Sequence, residues 1–333
     1  MNDTPNQKSK HPLVKALIGL LIGLVVAGVI LLYGNRIVDA VLATRFVPNS
    51  QIASIRTTLQ MTDEGNNLFY ASQPVIESGE AFNTACETTE RSQAILGCYT
   101  MRKIYLFDIT NDDLAGAEEV TAAHEVLHAA YERLNIFERP KVDKMLDDQY
   151  QKIKDKPDLV KIVAYYRQNE PDSVGNELHS ILGTIEASLS PELEAYYARY
   201  FTDRSAIVAM NDTYSAVFDA VNARATELAD QIAAMKPQVE QVLSQYTADL
   251  DTLNADIATF NRQYEAGVYK TQSAFNAARQ ALVVRVNALN ARRNEINTTV
   301  AAYNAIIAEQ NQLSVQVQTL NTSINAAPEA GGI

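Results

Sequence analysis

The chain has 333 residues, enough for two or three units that each bury a core of their own, and a formal charge of −12. Residues 34–204 carry 17 basic and 27 acidic side chains. That balance excludes the basic surface a phosphate backbone needs, so no nucleic-acid partner is expected.

Residues 1–12 contain Lys8 and Lys10 against Asp3 and are expected as a cytoplasmic tail, followed by a transmembrane helix over 13–34. From Ala16 to Tyr33 every residue is apolar or glycine, which at 1.5 Å per residue gives roughly 27 Å of helix, enough to cross a bilayer core. The run passes through Val29–Tyr33 into Gly34-Asn35-Arg36 without a small-x-small cleavage site, so an uncleaved anchor is expected. Lysines precede the span, and Arg36 is nearly balanced by Asp39. The positive-inside rule therefore predicts a single-pass protein of the cell membrane, N-terminus cytoplasmic and later domains extracytoplasmic. On that oxidising side, the only two cysteines, Cys86 and Cys98, are expected to form a local disulfide.

Residues 35–204 mix β-like runs, turns and amphipathic helices, and predict a small α+β, mainly α, domain. Lys103–Ile109 reads as a strand. Next comes an uninterrupted helical stretch over 117–134 containing Ala122-Ala123-His124-Glu125-Val126-Leu127-His128. On a helix, i and i+4 stack one turn apart, so His124 and His128 offer two imidazoles to one point, as zinc requires. Val120, Ala123, Leu127, Ala130 and Leu134 form the core-facing stripe, with the histidines on its flank. Glu125 is turned further round, where it can reach a water at the metal and act as the base. A third ligand is expected from Ser173–Thr184, where Glu177 and His179 lie on opposite flanks of a predicted helix. Glu177 is preferred and His179 is the alternative. Tyr196, Tyr197 and Tyr200 follow, either as an oxyanion stabiliser or as packing at a domain junction.

Beyond Ser205 the texture changes: up to Ala327 there is one glycine, Gly267, and one proline, Pro237. Val239, Leu243, Tyr246, Leu250, Leu253, Ile257, Phe260 and Tyr264 alternate steps of four and three, the seam of a coiled coil. A second run from Leu282 to Ile307 keeps the rhythm but puts Arg293 on the seam. The lone glycine between arms of similar length predicts an antiparallel helical hairpin over 205–327, and Pro237 is expected to kink its first arm or start a new helix. Residues 328–333 are expected as a flexible tail.

His124-Glu125-Val126-Leu127-His128, with Asn176-Glu177-x-x-Ser180 on a later helix, resembles the gluzincin branch of the zincin metallopeptidases. The resemblance implies Zn2+ held by His124, His128 and Glu177, with Glu125 as general base, in an enzyme hydrolysing a peptide or protein substrate. It also implies that Lys103–Ile109 is an edge strand that pairs with an extended peptide. The 48 residues between His128 and Glu177 exceed the thermolysin-like spacing, and the resemblance covers only about residues 100–190. The reading favoured here is a membrane-anchored extracytoplasmic zinc endopeptidase whose hairpin self-associates or docks a protein partner. The alternative is a non-catalytic coiled-coil scaffold or adaptor with a vestigial zincin-like domain. The intact Glu125 favours the enzyme, because a decayed site has no chemical need of its base.

Overall fold

The computed structural model describes residues 12–86 and 96–324; the expected tails, apart from Pro12, lie outside the described residues. The chain is mostly helical, with few strands and one long apolar helix near the N-terminus. It divides into two units, residues 1–217 with 321–333, and residues 218–320.

The first unit begins with α1 (Pro12–Arg45), which continues eleven residues past the expected end of the span at 34. Its apolar residues from Leu17 to Val38 are exposed, whereas Asp39 and Ala43 are buried in the domain. Arg133 and Arg102 donate to the two oxygens of Asp39 at 2.7 and 2.8 Å, so the polar end of α1 is a docked element and not a linker. Asn49 then caps α2 (Ser50–Thr58), accepting from the Ile52 N–H at 2.8 Å. Thr62 caps α3 (Asp63–Ala71) in the same way, through Gly65 N–H at 3.1 Å. A Cβ on Gly65 would stand 2.2 Å from the Tyr200 carbonyl oxygen, so only glycine allows α3 this approach.

A three-stranded sheet follows, formed by β1 (Val75–Glu77), β2 (Gly97–Thr100) and β3 (Lys103–Phe107), with α4 (Gly79–Cys86) between the first two. The strand order is β1-β3-β2, with β1 parallel and β2 antiparallel to β3. The strand expected at the edge, within Lys103–Ile109, is therefore the central one. Its covering partner β1 has only three residues, too few to show a period of two. Cys86 and Cys98 are joined, S–S 2.00 Å, which ties α4 to β2.

Against this sheet lies α5 (Ala117–Glu132), with α6 (Arg139–Ile153), α7 (Pro157–Asn169), α8 (Val174–Thr184) and α9 (Pro191–Tyr197) beyond it. Val120, Ala123, Leu127, Ala130 and Leu134 are all buried, and so are Ala122, Val126 and Ala129. α5 is thus enclosed on nearly every side, because it packs on β2 and β3, on α3 and on α8 at once. Truncating Leu127 in such a core costs roughly 2–5 kcal/mol.

α10 (Arg204–Glu265) starts in this unit, where Ile207 and Val208 are buried. The unit boundary at Val217 lies within α10, thirteen residues beyond the expected one, because the first turns of the helix belong to the globular core.

In the second unit, α10 runs on through Pro237 without a break and pairs with α11 (Gln272–Ile324). One lost N–H donor does not divide a helix of 62 residues. The helices turn at Ala266–Thr271, where Gly267 has φ +66 and Val268 N–H returns to the Gln263 carbonyl at 3.0 Å. The ion pairs Arg224–Glu309 (2.6 Å), Asp249–Arg292 (3.5 Å) and Asp256–Arg285 fix an antiparallel sense. Phe260, Tyr264, Tyr269 and Phe275 cluster at the turn.

Candidate metal centre

The first turn of α5 carries Glu118 and Glu119, which suit the positive end of its dipole. One turn further on, the rings of His124 and His128 stand edge to face, centroids 4.7 Å apart. α8 packs against this segment and turns Glu177 to the pair, with His128 Nε2 to Oε1 at 3.4 Å and His124 Nε2 to Oε2 at 3.8 Å. The ligand-capable atoms of the three residues all lie within 4.8 Å of one another. Tetrahedral zinc with bonds of about 2.0–2.1 Å sets neighbouring ligands roughly 3.3 Å apart. The two imidazole nitrogens stand 3.4 and 3.8 Å from the Glu177 oxygens, within about half an ångström of that spacing, so the donor set fits such an ion.

Protonation supports the same fit. Burial lowers the His128 pKa to about 4, with His124 adding to the effect, while Glu177 and Asn176 act the other way. His128 is therefore neutral near pH 7, and its approach to Glu177 is not an ion pair. Its buried Nδ1 and the buried Oδ1 of Asn176 have no partner within strict hydrogen-bond geometry. A neutral His128 ring can turn the lone pair of Nε2, the atom 3.4 Å from Glu177 Oε1, toward that carboxylate. Two lone-pair donors facing each other are satisfied by a cation.

Glu125 is buried, and its pKa is raised well above the usual carboxylate value by burial first and by Glu177 second, partly offset by the Tyr99 N–H it accepts from. Its neighbour is β2. Leu96 pairs with Phe107, so alternation along the antiparallel ladder turns the backbone groups of Gly97 and Tyr99 to the outer edge. A Cβ on Gly97 would lie 3.0 Å from Glu125 Oε1 and 2.5 Å from Thr121 Cγ2. The edge strand beside the site is therefore β2, held by its disulfide.

His179 is not part of the cluster. It is fully buried behind it, with Nε2 at 2.9 Å from the Tyr196 hydroxyl, while Nδ1 has no hydrogen-bond partner among the described residues. Tyr196, Tyr197 and Tyr200 are buried too, and Tyr197 donates to the His179 carbonyl at 2.7 Å. The tyrosines pack the junction of α8 and α9. Asn176, Gly97 and Tyr99 are the site neighbours to which the sequence assigned no role, and of these only Asn176 carried a signal, its place beside Glu177.

Burial also lowers the His179 pKa, to about 3, with His128 contributing next. Between the unfolded value near 6.5 and about 3, the unfolded chain takes up a proton that the folded chain refuses. Stability from this group is present above about pH 6.5 and is lost as pH falls toward 3. Urea unfolding of the metal-free chain should show stability falling from about pH 7 to about pH 4.5, and less steeply in His179→Gln. Equal slopes would mean that His179 is not buried neutral.

Comparison with known protein families, curated proteins and solved structures finds no match to this chain.

Proposed function

We propose that the chain is a membrane-anchored, extracytoplasmic zinc endopeptidase of the gluzincin kind. The observation that carries this reading is the convergence of His124, His128 and Glu177 from two helices, with Glu125 beside them on one of those helices. His124, His128 and Glu177 would hold the zinc, which would supply Lewis-acid chemistry toward a water and a peptide carbonyl. Glu125 takes the proton of the attacking water and passes it to the leaving amine. The outer edge of β2 runs beside Glu125, and edge pairing with an extended peptide reads backbone, which suits an endopeptidase of broad sequence tolerance.

Among the described residues α1 is the one helix long and apolar enough to cross a membrane, and the lysines before it favour a cytoplasmic N-terminus. In the helical pair, the seam residues Val221, Leu228, Val239 and Leu253 are buried while Leu243 and Leu250 stay over a third exposed. A heptad seam only partly covered by one partner helix suits a coiled-coil arm that self-associates or docks a protein.

Metal analysis and proteolysis test the reading together. Purified full-length chain should hold about one zinc, and His124→Ala close to none. Protease added to spheroplasts should remove the domain. Absence of zinc from the wild type, or protection of the domain, refutes the corresponding half of the proposal.

A further inference from the structure

The foot of the globular unit is fixed against a short stretch of α1. Arg36 reaches Glu64 at 3.7 Å and Glu138 at 3.6 Å, and Arg102 reaches Asn35 at 3.5 Å and Asp39 at 2.8 Å. Leu31 and Leu32 line a cavity together with Asn135 and Glu138. These contacts place two loops, the β2–β3 turn and the segment between α5 and α6, level with the residues just past the apolar run of α1. Each loop carries large apolar side chains into solvent beside its tether: Met101 is 88% exposed next to Arg102, and Ile136 and Phe137 are 80% and 62% exposed next to Glu138. Met101 and Arg102 both have positive φ, +48 and +63, in a two-residue turn that glycine or asparagine fills at lower cost. That backbone points Arg102 at α1 while leaving Met101 outside.

Single exposed apolar residues are ordinary. Here three of them sit in loops tied to the helix at the level where a bilayer passes from hydrocarbon to headgroups, and Leu31 and Leu32 of that helix are exposed too. We propose that Ile136, Phe137 and Met101 enter the interfacial layer of the outer leaflet, giving the domain a second, monotopic hold on the membrane. Arg36, Arg102 and Glu138 then lie among the headgroups, with aliphatic stems toward the acyl boundary. Arg133, near the C-terminal end of the helix that carries His124 and His128, bonds Asp39 at 2.7 Å, so seating the foot also sets the height of the candidate metal centre over the bilayer. The inference rests on α1 spanning the membrane and is independent of catalysis.

The chain contains no tryptophan, so one introduced indole reports without background. Full-length Phe137→Trp, Val25→Trp and Val47→Trp would each be reconstituted in phosphatidylcholine vesicles containing lipids brominated at shallow or deep acyl positions. Val47 is 87% exposed and lies about 20 Å along the chain from Tyr33 at helical rise, so it serves as the control for exposure alone. Expected is a blue-shifted emission from Phe137→Trp, quenched by shallow bromines at least about two-fold more than that of Val47→Trp, while Val25→Trp is quenched by deep bromines. If Phe137→Trp behaves like Val47→Trp while Val25→Trp is quenched, the docked foot is overturned and the anchor stands. An unquenched Val25→Trp overturns the anchor, and the docked foot with it.

Discussion

Glu125→Gln is expected to leave zinc near one per chain while peptide hydrolysis falls by roughly 100-fold or more. The amide has the volume of the carboxylate and can still accept the Tyr99 N–H, so the packing around this buried residue is preserved. It cannot take a proton from water. Removing a ligand should do something different: His124→Ala, His128→Ala and Glu177→Ala should each release the metal. His179→Ala should retain it and lose roughly 1–3 kcal/mol of stability, because the Tyr196 hydroxyl loses its buried partner. Zinc content by elemental analysis and initial rates on an unstructured protein substrate separate these outcomes. Greater zinc loss from His179→Ala than from Glu177→Ala would remove Glu177 as the third ligand. Unchanged activity in Glu125→Gln would remove the enzyme reading.

The parts of this site that were legible in the sequence are those set by helical periodicity. His124 and His128 one turn apart, and Glu177 and His179 on opposite flanks of one helix, follow from about 100° per residue. What escaped depends on distant partners. Arg36 and Asp39 look like the polar end of a span, yet α1 continues because Asp39 meets Arg102 and Arg133, 63 and 94 residues away. The resemblance implies an edge at β3, and β1, which covers it, is three residues long and too short to signal itself in the sequence. The edge that does face Glu125 begins with Gly97, which has no side chain to signal what it touches. Pro237 carries a strong local helix-breaking signal, but long stretches of α10 continue the helix on either side of it. The unit boundary falls later than composition suggests for a related reason: the texture changes at Ser205, whereas Ile207 and Val208 still pack into the globular core.

Two glycines offer a way to separate positioning of the proposed metal from positioning of the proposed base. A Cβ on Gly183 would stand 2.3 Å from Leu127 Cδ1 and 2.9 Å from Tyr197 Cε1, both fully buried, where α8 crosses α5 beside His128. Neither neighbour has room to yield, so Gly183→Ala should push α8 away and carry Glu177 from the histidines. Overpacking of this kind costs about 1–3 kcal/mol. If half of that appears at the metal, zinc affinity falls roughly two- to twelve-fold, since about 1.4 kcal/mol is a factor of ten. The three atoms nearest a Cβ on Gly97 belong instead to Thr121 and the Glu125 side chain. Gly97→Ala should therefore leave zinc affinity near wild type and lower the rate at saturating zinc about 10- to 100-fold, because the base is displaced from the attacking water. Competition against a chelator gives the affinities, and rates in excess zinc give the rest. If both variants lose zinc in parallel, the two helices and the strand hold the site as one body, and the separate roles assigned to α8 and β2 fail. If Gly183→Ala binds zinc as tightly as wild type, its contact with Leu127 does not hold Glu177 in place.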